Sequence, residues 1–398
     1  MFLELTLRRN PTLVEQAIAL HQAGKIPANC YVIDLDAVER NAAIISREAA
    51  RLGLKAFAMT KQMGRNASFC RAVMRGGIPA TVAVDMECAR ACRRAGMSIG
   101  HLGHLVQIPR GEANAAASME PCYWTVFGRE KAEEASAASA QRGRVQPTLA
   151  RIVAPEDKFY RGHEGGFEAT EVAKVARAID ALAGLMFAGV TSFPTQLYDA
   201  SSRRVKPTPN LRTLEKAAKA LNAAGWNDVE INAPGTTSAE ILPMLAAAGA
   251  TQIEPGHGLT GTTPLHAVEE LPETPAVVYL SEVSHLTNAE AFCFGGGLYI
   301  DPVFPDYSLT AIVSREPTAS GRALRPVEIP APASIDYYGM IDNRREPKAH
   351  VGDSVVFGFR AQAFVTRAYT VGVSGLSRGE PIVEDLHDAF GRRADWPL

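Results

Sequence analysis

Lys61 stands directly after an apolar run, KAFAMT at residues 55–60, that is typical of a β-strand. A lysine at a strand end with few other charges nearby can lose much of its hydration. Desolvation lowers the pKa of an amine, which frees it to attack a carbonyl carbon. Lys61 is therefore the first candidate for covalent chemistry, although this residue alone could equally be a surface lysine.

Two further segments combine small residues and hydroxyl groups next to predicted strands. Residues 232–238, NAPGTTS, precede a predicted helix, and helix starts bind phosphate through backbone N–H groups and the helix dipole. Residues 254–261, EPGHGLTG, contain three glycines, which let the backbone approach a ligand closely. The plainer interpretations are a helix-capping segment for the first and a domain linker for the second.

Short apolar runs alternate with amphipathic segments at a spacing of roughly thirty residues. The predicted strands are residues 31–35, 55–60, 81–84, 104–108, 123–127, 148–153, 185–192, 228–232 and 250–254. About eight or nine parallel strands with helical crossovers indicate a closed (β/α)8 TIM barrel. An open doubly wound sheet is the alternative, but the glycine-rich fingerprint of that fold is missing after the first strand.

The composition changes near residue 272, where a Pro-, Gly- and Val-rich region without helical periodicity begins. Its apolar runs, among them residues 291–301, are separated by turns and indicate an all-β domain. A helix is expected to return at residues 384–391. The predicted domains are an N-terminal extension on the β domain (1–27), the barrel (28–270) and the β domain (271–398).

Composition and net charge exclude several classes of function. The chain has 398 residues and a net charge of −2, so nothing attracts it to nucleic acid or to an anionic membrane. It lacks an apolar stretch long enough to span a bilayer, and its N-terminus lacks the pattern of a signal peptide, so we expect a cytoplasmic protein. Cys88 and Cys92 lie four apart on a predicted helix, but no second pair follows them. We expect packing there and no metal site.

Together these segments resemble the pyridoxal-phosphate (PLP) enzymes of the alanine racemase fold, fold type III. YVIDLDAVERNA at 31–42 resembles that family's first strand and helix, and Lys61 matches the cofactor lysine after its second strand. FAGVTSFPT at 187–195 resembles the strand that carries the ring-stacking residue. The resemblance covers about residues 28–265, the β domain matches in outline, and AMTKQMGRN at 58–66 is most similar to the YhfX-like group.

Carried onto this chain, the resemblance implies a role for individual residues. Lys61 is expected to hold PLP as an imine and to move one proton. Phe193 takes the ring-stacking position, where the family often has histidine. Arg151, at a strand end, is expected near the ring oxygen or a substrate carboxylate. The cofactor phosphate and its surroundings are expected to involve Asn232, Thr236, Thr237, Gly256 and His257, largely through backbone N–H groups.

Glu254 departs from alanine racemase, which has an arginine before the corresponding Pro-Gly. The related basic-amino-acid decarboxylases have glutamate there, in a Glu-Pro-Gly motif. A carboxylate beside the pyridine nitrogen stabilises the protonated ring and makes the cofactor a stronger electron sink. Glu254 therefore favours decarboxylation, retro-aldol cleavage or racemisation of a less acidic substrate.

The second catalytic group of this fold comes from the β domain of a partner subunit, so the resemblance implies a homodimer with shared active sites. Racemases have a tyrosine there and the decarboxylases a cysteine. Residues 334–342, SIDYYGMID, contain no cysteine but contain the adjacent Tyr337 and Tyr338. Two proton donors on opposite faces of the substrate would permit inversion. Packing within the β domain is the alternative role for both tyrosines.

These features predict a PLP-dependent amino-acid racemase or epimerase. A lyase of the same fold, decarboxylase or aldolase, is the alternative. A non-catalytic PLP-binding protein is a third possibility, although its small relatives lack a β domain. His101 and His104 are interpreted as ordinary hydrogen-bonded residues, and the distant His285 and His350 make a poor metal pair.

Overall fold

The computed structural model describes residues 1–299, 308–318 and 323–396. The chain divides into two compact units, each built from more than one segment. The barrel unit comprises Ala43–Thr60 and Gly77–Gly256. The β unit comprises Met1–Ala42, Lys61–Gly76 and His257–Leu398.

Helices and strands occur in both units. The helices are α1 (Phe2–Arg9), α2 (Pro11–Gln22), α3 (Leu35–Arg51), α4 (Ala67–Arg75), α5 (Met86–Arg94), α6 (Ala113–Ser118), α7 (Arg129–Ala140), α8 (Val172–Asp180), α9 (Pro209–Ala223) and α10 (Leu242–Ala247). The strands are β1 (Cys30–Asp34), β2 (Lys55–Ala56), β3 (Ala80–Ala83), β4 (Ser98–Leu102), β5 (Tyr123–Val126), β6 (Gln146–Val153), β7 (Phe167–Glu168), β8 (Leu185–Thr191), β9 (Gln196–Asp199), β10 (Arg204–Pro207), β11 (Glu230–Asn232), β12 (Gln252–Ile253), β13 (Val277–Leu286), β14 (Glu290–Phe294), β15 (Thr310–Ser314), β16 (Arg325–Glu328), β17 (Tyr338–Asp342), β18 (Ser354–Phe357), β19 (Tyr369–Ser374) and β20 (Ile382–His387). Within the described residues, every helix falls short of the length and apolar character that a bilayer span requires.

The barrel unit contains a parallel sheet with the strand order β2-β12-β11-β8-β6-β5-β4-β3. Its two ends meet, because Ala58, just beyond β2, forms a parallel bridge with Thr81 on β3. The Ala58 N–H donates to the Ala80 carbonyl oxygen at 2.9 Å, and the Val82 N–H donates to the Ala58 carbonyl oxygen at 3.0 Å. The sheet is thus the predicted closed barrel, and its strands end at one common rim.

One barrel strand lies earlier than predicted. The run at residues 104–108 is not a strand, and β4 ends at Leu102 instead. Gly103, the next residue, has a φ of +77° and turns the chain away from the sheet. A Cβ at Gly103 would lie 2.7 Å from the Thr125 carbonyl oxygen, so this turn requires glycine.

The β unit is built on a second sheet, with the order β14-β17-β16-β15-β18-β13-β1-β19-β20. The placement of residues 31–35 as the first barrel strand is therefore wrong. That segment is a strand, β1, but it pairs antiparallel with β13 and parallel with β19. Every residue of β1 is buried, and a continuous apolar run fits an interior strand of either sheet equally well.

Both ends of the chain contribute to the β unit. The N-terminal helices α1 and α2 cover this sheet and share one core with it. Buried members of that core include Leu3, Leu13, Val14, Ala17, Ile18, Val278, Leu280, Ile312, Val356 and Val371. The helix expected at residues 384–391 is wrong, since β20 occupies 382–387 and pairs antiparallel with β19. Pairing with an available strand overrides local helix propensity. Residues 300 and 301, the end of the run at 291–301, lie outside the described residues.

Candidate active site

The carboxyl rim of the barrel carries several residues that the sequence singled out. Asn232 is the last residue of β11, and Glu254 directly follows β12. Arg151 lies near the end of β6, and Phe193 follows shortly after β8. Because the strands of a closed parallel barrel end together, these residues are positioned on one face of the barrel unit.

Lys61 follows the first barrel segment directly and begins a short turn of 3-10 helix. The chain just before it is tied to the chain just after Glu254, since the Met59 N–H donates to the Pro255 carbonyl oxygen at 2.8 Å. Lys61 is partly exposed. The strand predicted at 55–60 is shorter than expected, since β2 ends at Ala56 and one further bridge forms at Ala58, so Lys61 lies three residues beyond the last barrel pairing.

Two neighbours of Lys61 in the β unit were not foreseen. The Lys61 ammonium lies 5.2 Å from the centre of the Phe364 ring. The Arg65 guanidinium lies 5.7 Å from the centre of the same ring. An aromatic face attracts cations at such distances, so Phe364 helps to hold both basic side chains. Phe364 comes from a part of the β domain whose sequence gives no signal of this contact.

Glu254 is buried and receives several hydrogen-bond donors. Its side chain is 2% exposed. Its Oε1 accepts from His101 Nδ1 at 2.9 Å and from Asn232 Nδ2 at 3.1 Å. His104 Nε2 lies 3.3 Å from Oε2. Burial alone would raise the pKa of Glu254, but the charge of His104 and the hydrogen bonds from His101 and Asn232 outweigh it and lower that pKa.

His101 and His104 are more than isolated polar residues. Both side chains are fully buried, and together with Glu254 they bring three potential ligand atoms within 4.8 Å of one another. Two imidazoles and a carboxylate can bind a divalent cation or form a hydrogen-bonded network. No metal ligands were predicted here from the sequence. The signal that could have indicated them is the spacing of the two histidines at the end of a barrel strand.

Arg151 is a buried cation with unused donors. Its guanidinium lies 4.6 Å from the centre of the Phe127 ring and 5.6 Å from that of Phe159. One nitrogen donates to the His163 carbonyl oxygen. Its Nε and Nη1 are buried without a partner among the described residues. Burial lowers the pKa of Arg151 to about 10, so the side chain remains charged at neutral pH and can bind an anionic oxygen.

Phe193 belongs to an aromatic cluster on the barrel unit. Its ring centre lies 6.0 Å from that of His104, in an edge-to-face arrangement. The rings of Tyr160 and His163 each lie 5.9 Å from it. Tyr160 and His163 come from the glycine-rich loop that follows β6. That loop therefore contacts the ring-stacking candidate directly.

The loop at residues 232–238 is held by Gln196. The Thr236 N–H, expected to bind phosphate, donates to the Gln196 carbonyl oxygen at 3.1 Å. Thr237 Oγ1 donates to the Gly235 carbonyl oxygen at 3.1 Å and accepts from Gln196 Nε2 at 3.3 Å. The Ser238 hydroxyl is buried without a partner among the described residues. Ser238, which the sequence suggested only as part of a helix-capping segment, thus offers this loop a buried hydroxyl.

Replacing Gly235 with alanine is expected to destabilise the protein by about 1–3 kcal/mol, the usual cost of overpacking. The added Cβ would lie 2.5 Å from the Gln196 carbonyl oxygen, so the backbone of the loop must move. Urea unfolding measures this loss. Gly111→Ala is the matched control, since its Cβ would meet nothing within 4 Å. Equal stability of the two variants would contradict the tight loop geometry.

His257 uses both nitrogens of its ring within the β unit. Nε2 donates to the Ala361 carbonyl oxygen at 2.8 Å, and Nδ1 accepts from Arg360 Nε at 3.4 Å. Burial and the charges of Arg360 and Lys61 lower the pKa of His257 well below its ordinary value. The side chain is therefore neutral, and a phosphate contact of the expected kind would have to come from the backbone. Gly256, its neighbour, is the last residue of the barrel unit.

Tyr337 and Tyr338 lie on the surface of the β unit, where their side chains are 63% and 37% exposed. The Arg367 guanidinium lies 5.7 Å from the Tyr337 ring centre. The Tyr338 ring meets the edge of His285 at 4.9 Å. Both tyrosines line a concavity of about 830 Å³. Tyr337 is largely exposed, whereas the Tyr338 ring also packs against Phe294 of its own unit at 6.0 Å, as the alternative role predicted.

A closed parallel barrel in one unit and a mostly antiparallel sheet in the other define the alanine racemase class of fold. Residues 33–264 match the model of the alanine racemase N-terminal domain, and residues 278–383 match that of the YhfX-like C-terminal domain. The chain is 38% identical to the uncharacterized protein YhfX of Escherichia coli (strain K12) over 391 residues, covering 98% of this chain and 99% of that protein. This chain belongs to the YhfX-like family of alanine-racemase-fold proteins.

Solved structures share this fold at low sequence identity. D-threonine aldolase from Filomicrobium marinum has a TM-score of 0.69 at 16% identity, covering 93% of this chain and 96% of that one. D-threo-3-hydroxyaspartate dehydratase from Delftia sp. HT23 has a TM-score of 0.65 at 15% identity, covering 91% of this chain and 97% of that one. An alanine racemase of Clostridium difficile 630 has a TM-score of 0.61 at 13% identity, covering 92% of this chain and 99% of that one. The fold thus includes proteins named for three reactions.

Proposed function

We propose that this protein is a PLP-dependent amino-acid racemase or epimerase that works as a cytoplasmic homodimer. Enzymes of the alanine racemase fold are PLP-dependent, and this chain belongs to that fold family. The observation that carries the proposal is the ionised, buried Glu254 at the barrel rim, next to a strand end that leads into Lys61. A buried carboxylate held in its charged form suits a cationic ligand group such as a protonated ring nitrogen.

Three groups on the barrel rim fit the polar parts of PLP. The lowered pKa of Glu254 keeps a carboxylate available for a protonated ring nitrogen. Arg151 has two buried donors without a partner among the described residues, which suit the ring oxygen or a substrate carboxylate. The unpartnered Ser238 hydroxyl lies in the loop expected to bind phosphate. Buried donors of this kind are costly unless a ligand satisfies them.

PLP, when bound, supplies an electron sink that stabilises negative charge at the α-carbon of an amino acid. The Lys61 amine holds the cofactor and moves a proton at that carbon on one face of the substrate. Tyr337 or Tyr338 of a second copy holds the proton on the opposite face. Inversion requires two such groups, and the exposure of both tyrosines leaves them available to a second copy.

A lyase of the same fold is the second candidate function. Glu254 supports it, because a stronger electron sink suits loss of carbon dioxide or of an aldehyde. The likeness to a protein named D-threonine aldolase supports it as well. Against a decarboxylase, residues 334–342 contain no cysteine.

Incubation of the PLP-loaded protein with a panel of L-amino acids in deuterated water is expected to give deuterium at the α-carbon together with the D-enantiomer. Mass spectrometry and chiral chromatography measure both products. Release of carbon dioxide or aldehyde instead would establish the lyase. Absence of any exchange over the panel would contradict the racemase.

Tyr337→Phe and Tyr338→Phe are each other's matched control in that assay. Loss of a general acid–base group lowers a rate by roughly 10²–10⁴-fold. One variant is expected to lose D-enantiomer formation by at least about 100-fold while the other stays close to the unsubstituted protein. Full activity of both variants would contradict a tyrosine base.

A further inference from the structure

A chain of buried side chains links Glu254 to the barrel wall. His101 lies on β4 and is fully buried. Its Nδ1 donates to Glu254 Oε1 at 2.9 Å, and its Nε2 is hydrogen bonded to the Thr125 hydroxyl on β5. The His101 ring is therefore fixed at both nitrogens. A ring held in this way can hold its partner in one orientation.

Asn232 fixes the same carboxylate oxygen from a second side. The Asn232 Oδ1 accepts from the Thr191 hydroxyl at 2.7 Å, which sets the orientation of the amide. Its Nδ2 consequently faces Glu254 Oε1, at 3.1 Å. Oε1 thus receives two N–H donors, while Oε2 has His104 Nε2 at 3.3 Å. The two oxygens of Glu254 have different surroundings.

We propose that His101 is a positioning residue for the cofactor: anchored by Thr125, it binds Oε1 of Glu254 and so fixes the carboxylate that would pair with the pyridine nitrogen of PLP. The inference rests on the proposed function and adds to it the residues that orient Glu254. His101 does not touch the reacting atoms. It acts through Glu254, as partners behind a ligand commonly do.

The side chains of His101, His104 and Glu254 could instead hold a divalent cation. The distances between them favour a hydrogen-bonded network. His101 Nδ1 and Glu254 Oε1 are 2.9 Å apart, the separation of an N–H donor and its acceptor. The Asn232 amide nitrogen is not a metal ligand, yet it is held toward the same oxygen. The experiment below therefore includes detection of a bound metal as one of its possible results.

The test is ¹⁵N NMR of the protein loaded with PLP that is labelled at the pyridine nitrogen, together with the PLP dissociation constant from absorbance titration. His101→Leu removes the donor to Glu254. His101→Asn retains an N–H near the place of Nδ1, and is the matched control. We expect His101→Leu to move the ¹⁵N resonance toward that of an unprotonated ring and to weaken PLP binding about tenfold. His101→Asn is expected to restore most of both.

Thr125→Val provides a second variant should His101→Leu fail to fold. It removes the anchor of the His101 ring with little change of volume, and a smaller shift of the ¹⁵N resonance in the same direction is expected. An unchanged resonance in the folded His101→Leu protein, or in Thr125→Val, would overturn the positioning role and leave the proposed function intact. Equal effects of His101→Leu and His101→Asn would show that His101 acts by packing, and would also overturn the positioning role.

Two further outcomes separate this inference from the proposed function. A stoichiometric metal in the purified protein, lost in His101→Leu, would make His101 a ligand and overturn the positioning role. An unsubstituted protein that binds no PLP would overturn the proposed function and this inference together. A resonance of a protonated ring that responds to His101→Leu and is restored by His101→Asn would support both.

Discussion

Lys61→Ala is expected to abolish the visible absorbance of lysine-linked PLP and to lower α-proton exchange by at least about 10³-fold. The variant loses both the amine that holds the cofactor and a group that moves a proton, and acid–base catalysis alone contributes roughly 10²–10⁴-fold. Absorbance spectra and deuterium exchange measure the two losses.

Lys55→Ala is the matched control for that substitution. Lys55 begins β2, the strand that leads toward Lys61, but its ammonium pairs with Glu230 and Tyr123. Its side chain is 54% exposed. We expect Lys55→Ala to keep both absorbance and exchange. Retained absorbance in Lys61→Ala would mean that another lysine binds the cofactor.

Glu254→Gln is expected to keep PLP bound but to slow α-proton exchange by roughly 10²–10³-fold, the effect of removing one preorganised electrostatic group. Glutamine keeps the volume and one acceptor for His101 and Asn232, so the site is expected to remain folded. It cannot carry the negative charge that stabilises a protonated ring. Single-turnover exchange in deuterated water, measured at saturating PLP, isolates this effect.

Glu240→Gln is the control for charge alone, because Glu240 is exposed on the short helical turn after residues 232–238. It is expected to exchange at the rate of the unsubstituted protein. An unchanged exchange rate in Glu254→Gln would mean that the ring nitrogen has another partner.

The barrel was predictable because its signal repeats along the chain. Alternating strands and helices of regular spacing allow few topologies, and the barrel closed between Ala58 and Thr81 is one of them. β1 could not be assigned to a sheet, because a strand that is buried along its whole length is compatible with an interior position in either sheet. The partner strands β13 and β19 come from far along the chain, where local pattern carries no information about pairing.

The candidate site was predictable where a residue lies close to the end of its strand, as Glu254 does directly after β12 and Lys61 does five residues after β2. His101 was missed for a specific reason. Placing the strand at 104–108 put His101 outside it, whereas β4 spans 98–102 and includes His101. Contacts made across the β unit, such as that of Arg360 with His257, depend on tertiary packing and leave no local pattern.

Borohydride reduction of the PLP-loaded protein, followed by peptide mapping, tests most directly whether one amine anchors the cofactor. We predict that the pyridoxyl group is recovered on the peptide that contains Lys61, at close to one group per chain. Recovery of the label on a different lysine, with Lys61 unmodified, would contradict the account and remove the basis for the roles given to Glu254, Arg151 and His101.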